Sequence, residues 1–409
     1  MLYGRDKDLL ELLLHKFEQH SNRLKESDCL KISHSLFLLK NKRIKRTSPE
    51  QIKHVNALLR ERTKYLLLQV DNSDFIGWST LLKAAVLRGD YDSELVEDLL
   101  IKFKELDYMS SKLVESISYL LSNTRSLIPE IINKCTEYVI NHKSNILGFN
   151  AEKLLYSCYT LAYHPVNGDK FFEDVIDVIL RDQERLSGLS FLQSALSLCY
   201  FNKLPSSFIK QIFNVEFMEK LDSELENCYS KDRYPQRVRK ILMALNRAVC
   251  LEYPEYNVPW FHQKYIEDMQ KISVKNTDKM YHHRINEYLA QVLQNPQSIS
   301  KDVVTPYGYH IDFVVNFNSR GDPVSSESSD INRRVAVLLF YPYDFTQFYT
   351  HLKGKYQMKM RHLEIFGYEV AAVNFSQWIN LLYPEERLEF ISKLIWPETN
   401  TNTSVLPKR

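Results

Sequence analysis

Glycine and proline are scarce: 10 and 14 residues in a chain of 409, about half their average share. So few helix breakers over such a length favour mostly helical structure. Spacing matters as much as number, because no two glycines lie closer than 12 positions. The G-x-G-x-x-G and G-x-x-x-x-G-K-[ST] loops need close-set glycines, so that backbone amides can approach a phosphate without a Cβ in the way. Neither loop can form here. H-R-D, D-F-G, G-x-S-x-G and H-E-x-x-H are absent as well, which leaves no parts for protein-kinase, hydrolase-elbow or zincin chemistry.

No apolar run approaches the ~20 residues that a membrane-spanning helix needs. Six cysteines (Cys29, Cys135, Cys158, Cys199, Cys228, Cys250) are widely spaced with no C-x-x-C. That pattern suits buried thiols in a reducing compartment better than a zinc site or a disulfide scaffold. The first twenty residues carry Asp6, Asp8, Glu11 and Glu18. Import peptides are Arg-rich and poor in acids, so this start taken alone codes for no import. Charge is nearly balanced, with 53 basic and 51 acidic side chains and a formal net charge of +2. Any affinity for a polyanion must therefore come from a local stripe.

From residue 8 to about 180, amphipathic runs alternate with short polar breaks. Several runs end alike: SHSLFLLKNK, LLKAAVLRGD, SISYLLSNTR, LLYSCYTLAY and SALSLCYFNK. Taking Leu39, Leu87, Leu121, Ala162 and Cys199 as equivalent points gives separations of 48, 34, 41 and 37 residues. That is the period of a two-helix repeat, in which each hairpin buries its apolar face against the next. Second helices are expected at 93–106 and 170–186. Helical pattern continues to about Leu293, and at 303 the period changes. VVTPYGYHIDFVVNF (303–317), RRVAVLLFY (333–341) and YEVAAVNF (368–375) read as strands, with a polar loop at 319–330. Helices at 354–367 and 384–396 complete a small α/β unit. The expected architecture is mostly α: hairpin repeats over 1–185, a helical region over 186–300, an α/β unit over 301–396 and a disordered tail over 397–409.

Three segments, LMALNRAVCLEYPEY (242–256), TPYGYHIDF (305–313) and the stretch 335–378 containing LKGKYQMKMRHLEIFGYEV, together resemble the FAST kinase (FASTK) family. The last segment is similar to that family's C-terminal RAP domain, here about 335–393. The resemblance covers residues 186–396, and it implies a non-catalytic RNA-binding protein of the mitochondrial matrix, without a cofactor. Such a protein would act on mitochondrial mRNA or rRNA in processing, stability or ribosome assembly, alongside processing or ribosome-assembly proteins. A mitochondrial location conflicts with the acidic N-terminus, so the chain is expected to lack its true start.

The RAP domain is similar in fold to PD-(D/E)xK nucleases, whose metal site needs an Asp on one strand and an acid-x-Lys on the next. Asp312 matches the first position; the acid and the lysine would fall at Leu338 and Phe340, both apolar. Asp344 comes six residues too late. A lone carboxylate cannot assemble a divalent-metal site, so neither catalysis nor a metal is expected, with Asp312 a remnant held by a hydrogen bond. For RNA, HLKGKYQMKMRH (351–362) carries Lys353, Lys355, Lys359 and Arg361 with His362 and no acid. Such groups neutralise phosphates. A second basic cluster, Lys42, Arg43, Lys45 and Arg46, follows a repeat helix, and Arg237, Arg239 and Lys240 form a weaker third. Tyr307, Tyr309, Tyr341 and Tyr343 flank the strands as candidate stackers, while Asn246 and Arg247 read as structural, bridging two helices. Two other readings stay open: an endonuclease centred on Asp312, and a helical scaffold for partner proteins.

Overall fold

A computed structural model of the chain describes residues 15–41, 49–71, 74–88, 103–104, 109–228, 233–260, 267, 279–347 and 351–397. Most of the expected helix at 93–106, and the tail from 398, lie outside those residues. The chain forms two compact units, Met1–Ser197 and Leu198–Arg409.

The first unit contains α1 (Glu26–Asn41), α2 (Pro49–Gln69), α3 (Phe75–Arg88), α4 (Ser111–Thr124), α5 (Pro129–Asn141), α6 (Gly148–Thr160), α7 (Gly168–Arg181) and the start of α8 (Gly188–Tyr200). Helices α1, α3, α4 and α6 pack each against the next, and α5 packs against α7. This two-row stacking is the expected repeat. Leu39, Leu87, Leu121 and Cys199 lie near the ends of α1, α3, α4 and α8, and Ala162 follows α6. The sequence period comes from core spacing: Leu113, Val114, Ile117, Leu120 and Leu121 of α4 are all buried, as are Ile131, Ile132, Cys135 and Val139 of α5.

Helices α4, α6 and α8 end the same way. Ser126, Tyr163 and Lys203 donate their amides to the carbonyls of Leu121, Cys158 and Leu198, five residues back. The residue before each has positive φ: Arg125 at 60°, Ala162 at 55° and Asn202 at 57°. This is a Schellman end, usually given to glycine. A glycine-poor chain builds it three times without one. Hairpins are also clamped to each other: the Asp182 carboxylate accepts the Gly148 amide at 2.7 Å, and Arg181 donates to the carbonyls of Lys143, Ser144 and Ile146. A Cβ on Gly148 would lie 2.8 Å from that of Asp182, so only glycine fits this approach.

The second unit adds α9 (Ser206–Ile212), α10 (Val215–Asn227), α11 (Arg233–Glu252) and α12 (Lys279–Leu293) before the sheet. Strands β1 (Ile299–Val304), β2 (His310–Phe317), β3 (Pro323–Val324), β4 (Arg333–Phe340) and β5 (Glu369–Asn374) form one sheet in the order β1-β2-β4-β5, with β3 on β2. The run 303–317, expected as one strand, is a hairpin folded at Thr305–Tyr309, where Gly308 has φ 75°. Strands β2 and β4 are antiparallel, whereas β4 and β5 are parallel. The β4–β5 crossover is α13 (Gly354–Ile365); α14 (Phe375–Asn380) and α15 (Pro384–Ile395) follow.

Both faces of the sheet are covered, which explains the near-continuous apolar strands. Phe313, Val315, Val335 and Val337 pack with Leu289 of α12, Trp378 of α14 and Ile391 of α15. Val314, Ala336, Leu338 and Phe340 pack under Leu363 of α13. Asp312 shares parity with Val314 and so belongs to the α13 face.

Candidate nucleic-acid interface

The β2–β4 register pairs Phe313 with Val337, so the next step sets Asp312 across from Leu338. The apolar residue thus stands where a nuclease-like acid was expected. Asp312 is buried, and its carboxylate accepts the Leu339 amide at 3.0 Å. That is the hydrogen-bonded role read from the sequence. Distance in sequence concealed a neighbour: Asp344, in a 3-10 turn after β4, is 3% exposed and accepts the Tyr341 amide at 2.9 Å. Its other oxygen, Oδ1, has no hydrogen-bond partner. Among the described residues, no group of three or more His, Cys, Asp or Glu could hold a metal ion.

Lys355 and Lys359 lie one turn apart on α13; Lys359 feels the charge of both acids, and Lys355 that of Asp344. Burial lowers the Lys359 ammonium below the usual lysine range; Asp312 and Asp344 oppose that shift, while Arg247 and Lys355 add to it. The Lys355 ammonium is lowered by desolvation, supported by Asp344 and repelled by Lys240 of α11. Arg237, Arg239 and Lys240 are exposed on α11, and α11 packs on α13. Tyr343, 55% exposed, stacks on Tyr341 with centroids 5.7 Å apart. Lys353 is half-buried at the N-cap of α13, where its amide donates to the Asp344 carbonyl at 3.1 Å.

The other two basic residues of α13 face elsewhere. The Arg361 guanidinium donates to Glu252 of α11 at 2.8 and 3.0 Å, and to the Tyr200 carbonyl at 2.9 Å. His362 is fully buried between Glu252 Oε1, 2.5 Å from Nε2, and the Tyr309 hydroxyl, 2.7 Å from Nδ1. Burial would raise the Glu252 carboxyl, but bonds from His362 and the charge of Arg361 outweigh it and hold the group below the usual range. Burial lowers His362, with Glu252 opposing. A neutral ring then donates from Nε2 to Glu252 and accepts the Tyr309 hydroxyl proton at Nδ1. Arg247 lies 3.9 Å over the Tyr309 ring and donates to the Tyr307 carbonyl at 2.7 Å, while Asn246 donates to the Pro259 carbonyl at 3.0 Å. Both are structural, as read, although they hold loops rather than a second helix. Of the four tyrosines, Tyr343 is exposed and Tyr309 is buried. Lys42, Arg43, Lys45 and Arg46 lie outside the described residues.

Stacked helical hairpins followed by a helix-covered mixed sheet, with a buried polar node behind a lysine cluster, define a helical-repeat protein with an α/β domain. Family models identify it further. Residues 151–222 match "FAST kinase-like protein, subdomain 1", residues 239–325 match "FAST kinase-like protein, subdomain 2", and residues 339–394 match the RAP domain. Together these span more than half the chain, which belongs to the FAST kinase-like family.

It is 28% identical over 362 residues to "FAST kinase domain-containing protein 1, mitochondrial" of Mus musculus, covering 82% of this chain and 43% of that protein. The Xenopus laevis protein of the same name is 27% identical over 341 residues, covering 76% and 41%. "FAST kinase domain-containing protein 3, mitochondrial" of Homo sapiens is 24% identical over 249 residues, covering 59% and 36%. The chain thus spans about two fifths of the length of these relatives. Their names agree with the mitochondrial location expected from the motifs. No described helix is long and apolar enough to cross a membrane.

Proposed function

We propose that this chain binds single-stranded mitochondrial RNA without cutting it, and so takes part in processing, stabilising or assembling organellar transcripts. One observation carries the reading. Helix α11, with exposed Lys240, packs on α13, with Lys355 and Lys359, so cations more than a hundred residues apart in sequence gather in one place. Lys359 and Arg247 add to the same crowd. A cluster of cations on two packed helices suits a phosphate backbone, and the exposed Tyr343, next to Asp344 in the chain, offers a stacking face. The RAP match supports this surface as the RNA-facing one. Filter retention of single-stranded RNA by the full chain tests it: K355Q/K359Q loses at least tenfold in affinity at ~0.1 M salt. Retention equal to the wild type would reject the surface.

A second reading, hydrolysis at the same cluster, has one observation in its favour: Asp344 joins Asp312 near Lys359 and keeps a buried oxygen unpartnered. It requires Mg²⁺-dependent cleavage lost in both D312N and D344N. The binding reading expects intact RNA after prolonged incubation.

A further inference from the structure

A pocket of about 270 Å³ opens on the row of repeat helices in the first unit, far in sequence from the lysine cluster. Its lining is periodic. Helix α3 supplies Lys83 and Leu87, α4 supplies Glu115 and Tyr119, and α6 supplies Phe149 and Lys153. Each pair is four residues apart and therefore shares one helix face. Tyr119 and Phe149 are 45% and 41% exposed, unusual for rings beside a packed core. The Lys153 ammonium sits 4.7 Å from the Phe149 ring centroid and 2.9 Å from a carboxylate oxygen of the fully buried Glu152. Its position is therefore fixed by the fold.

We propose that this pocket is a nucleobase subsite, taking one unpaired base of the bound RNA and preferring bases with an exocyclic amine. The chemistry of the lining selects that occupant. Two exposed rings with an apolar floor suit a flat π-system, which stacks on aromatic side chains. Ammonium groups at Lys83 and Lys153 complement an occupant linked on both sides to phosphates. The Glu115 carboxylate only accepts hydrogen bonds, so it rewards the amine of adenine, cytosine or guanine, whereas uracil offers only its N3–H, flanked by two carbonyl oxygens that repel a carboxylate. Two or three side chains from successive helical repeats reading one base is an established mode of single-strand recognition. The inference rests on the RNA-binding reading above but on different residues.

Fluorescently labelled oligo(A) and oligo(U) of equal length, titrated into the 409-residue chain, test it. Y119A/F149A is expected to weaken oligo(A) binding about tenfold or more, in line with the ~1–3 kcal/mol per stacked base. E115Q should erase the preference for oligo(A) over oligo(U). F149W, a gain-of-function check that removes no packing, should tighten oligo(A) binding. Wild-type binding by Y119A/F149A while K355Q/K359Q still loses affinity would overturn the subsite alone. No RNA binding by the wild-type chain would overturn both readings. Displacement of oligo(A) from this pocket by an acidic peptide that binds more tightly would make it a peptide groove and reject the nucleobase.

Discussion

Remove the Glu252 carboxylate, and Arg361 keeps only backbone carbonyls while the Nε2 proton of buried His362 loses its acceptor. Breaking such a buried arrangement by deleting one partner costs about 3–5 kcal/mol, so E252A is expected to unfold at markedly lower urea than the wild type. The pH dependence follows from the two shifted groups. Glu252 is held low, so its contribution is full above the unfolded carboxyl value near ~4.3 and is lost as pH falls through the folded one. His362 is also held low, so the unfolded chain takes up its proton near pH ~6.5 before the folded chain does, and stability falls below that point. The stability advantage of the wild type over H362Q should therefore shrink between pH 7 and pH 5. An advantage independent of pH would mean that His362 titrates normally. The same node shows what a sequence can and cannot disclose. Its members lie in the three segments that carry the family resemblance: Arg247 and Glu252, Tyr307 and Tyr309, Arg361 and His362. Counting charges on α13 alone made Arg361 and His362 look like phosphate ligands. Their partner lies 109 and 110 residues away on α11, and no local pattern points to it.

Repeat helices were legible because their signal is local: apolar residues every three or four positions and recurrent run endings 34 to 48 residues apart. The hairpin inside 303–317 was not, since Thr305-Pro306-Tyr307-Gly308 interrupts two apolar stretches too briefly to break the pattern by eye. Nor was the shared geometry of the repeat ends, because Arg125, Ala162 and Asn202 have no chemistry in common. What they share is left-handed backbone, which costs an ordinary L-residue about 1–2 kcal/mol and asparagine less. A162G should therefore raise unfolding stability by up to ~1 kcal/mol, after allowing for the greater freedom of glycine in the unfolded chain. N202G should change little, and the contrast is read directly from paired denaturation curves. Helix α13 makes the comparison internal to the protein: it closes with the same five-back bond, Tyr368 to Leu363, and places Gly367 at φ 79° in the left-handed position. Between hairpins, the Asp182 carboxyl is pulled down to about 2 by Arg181 and the Gly148 amide. D182A removes a cap and a clamp together, and should cost about 1–2 kcal/mol at pH 7. That difference should fade as pH drops from ~4 toward 2, where the native carboxylate protonates.

Across the whole molecule, basic and acidic side chains nearly cancel, so long-range attraction to a polyanion is weak and binding depends on where charges gather. Two kinds of contact should then be separable by salt alone. Each lysine that neutralises a phosphate of single-stranded RNA contributes about −0.7 to the slope of log affinity against log salt concentration, because a condensed counterion is released. On the proposed RNA-binding surface Lys355 and Lys359 make such contacts, so K355Q/K359Q should flatten the slope by about 1.4 while lowering affinity at every salt concentration. Tyr119 and Phe149 act through ring faces and apolar area, and release no counterions. Y119A/F149A should lower affinity by a constant factor and leave the slope unchanged. Titrations of oligo(A) from ~50 to ~300 mM salt with both variants and the wild type supply the comparison. Parallel lines for K355Q/K359Q and the wild type would mean that these ammonium groups neutralise no phosphate, and the lysine cluster would then have to be read as an internal balance for Asp312 and Asp344.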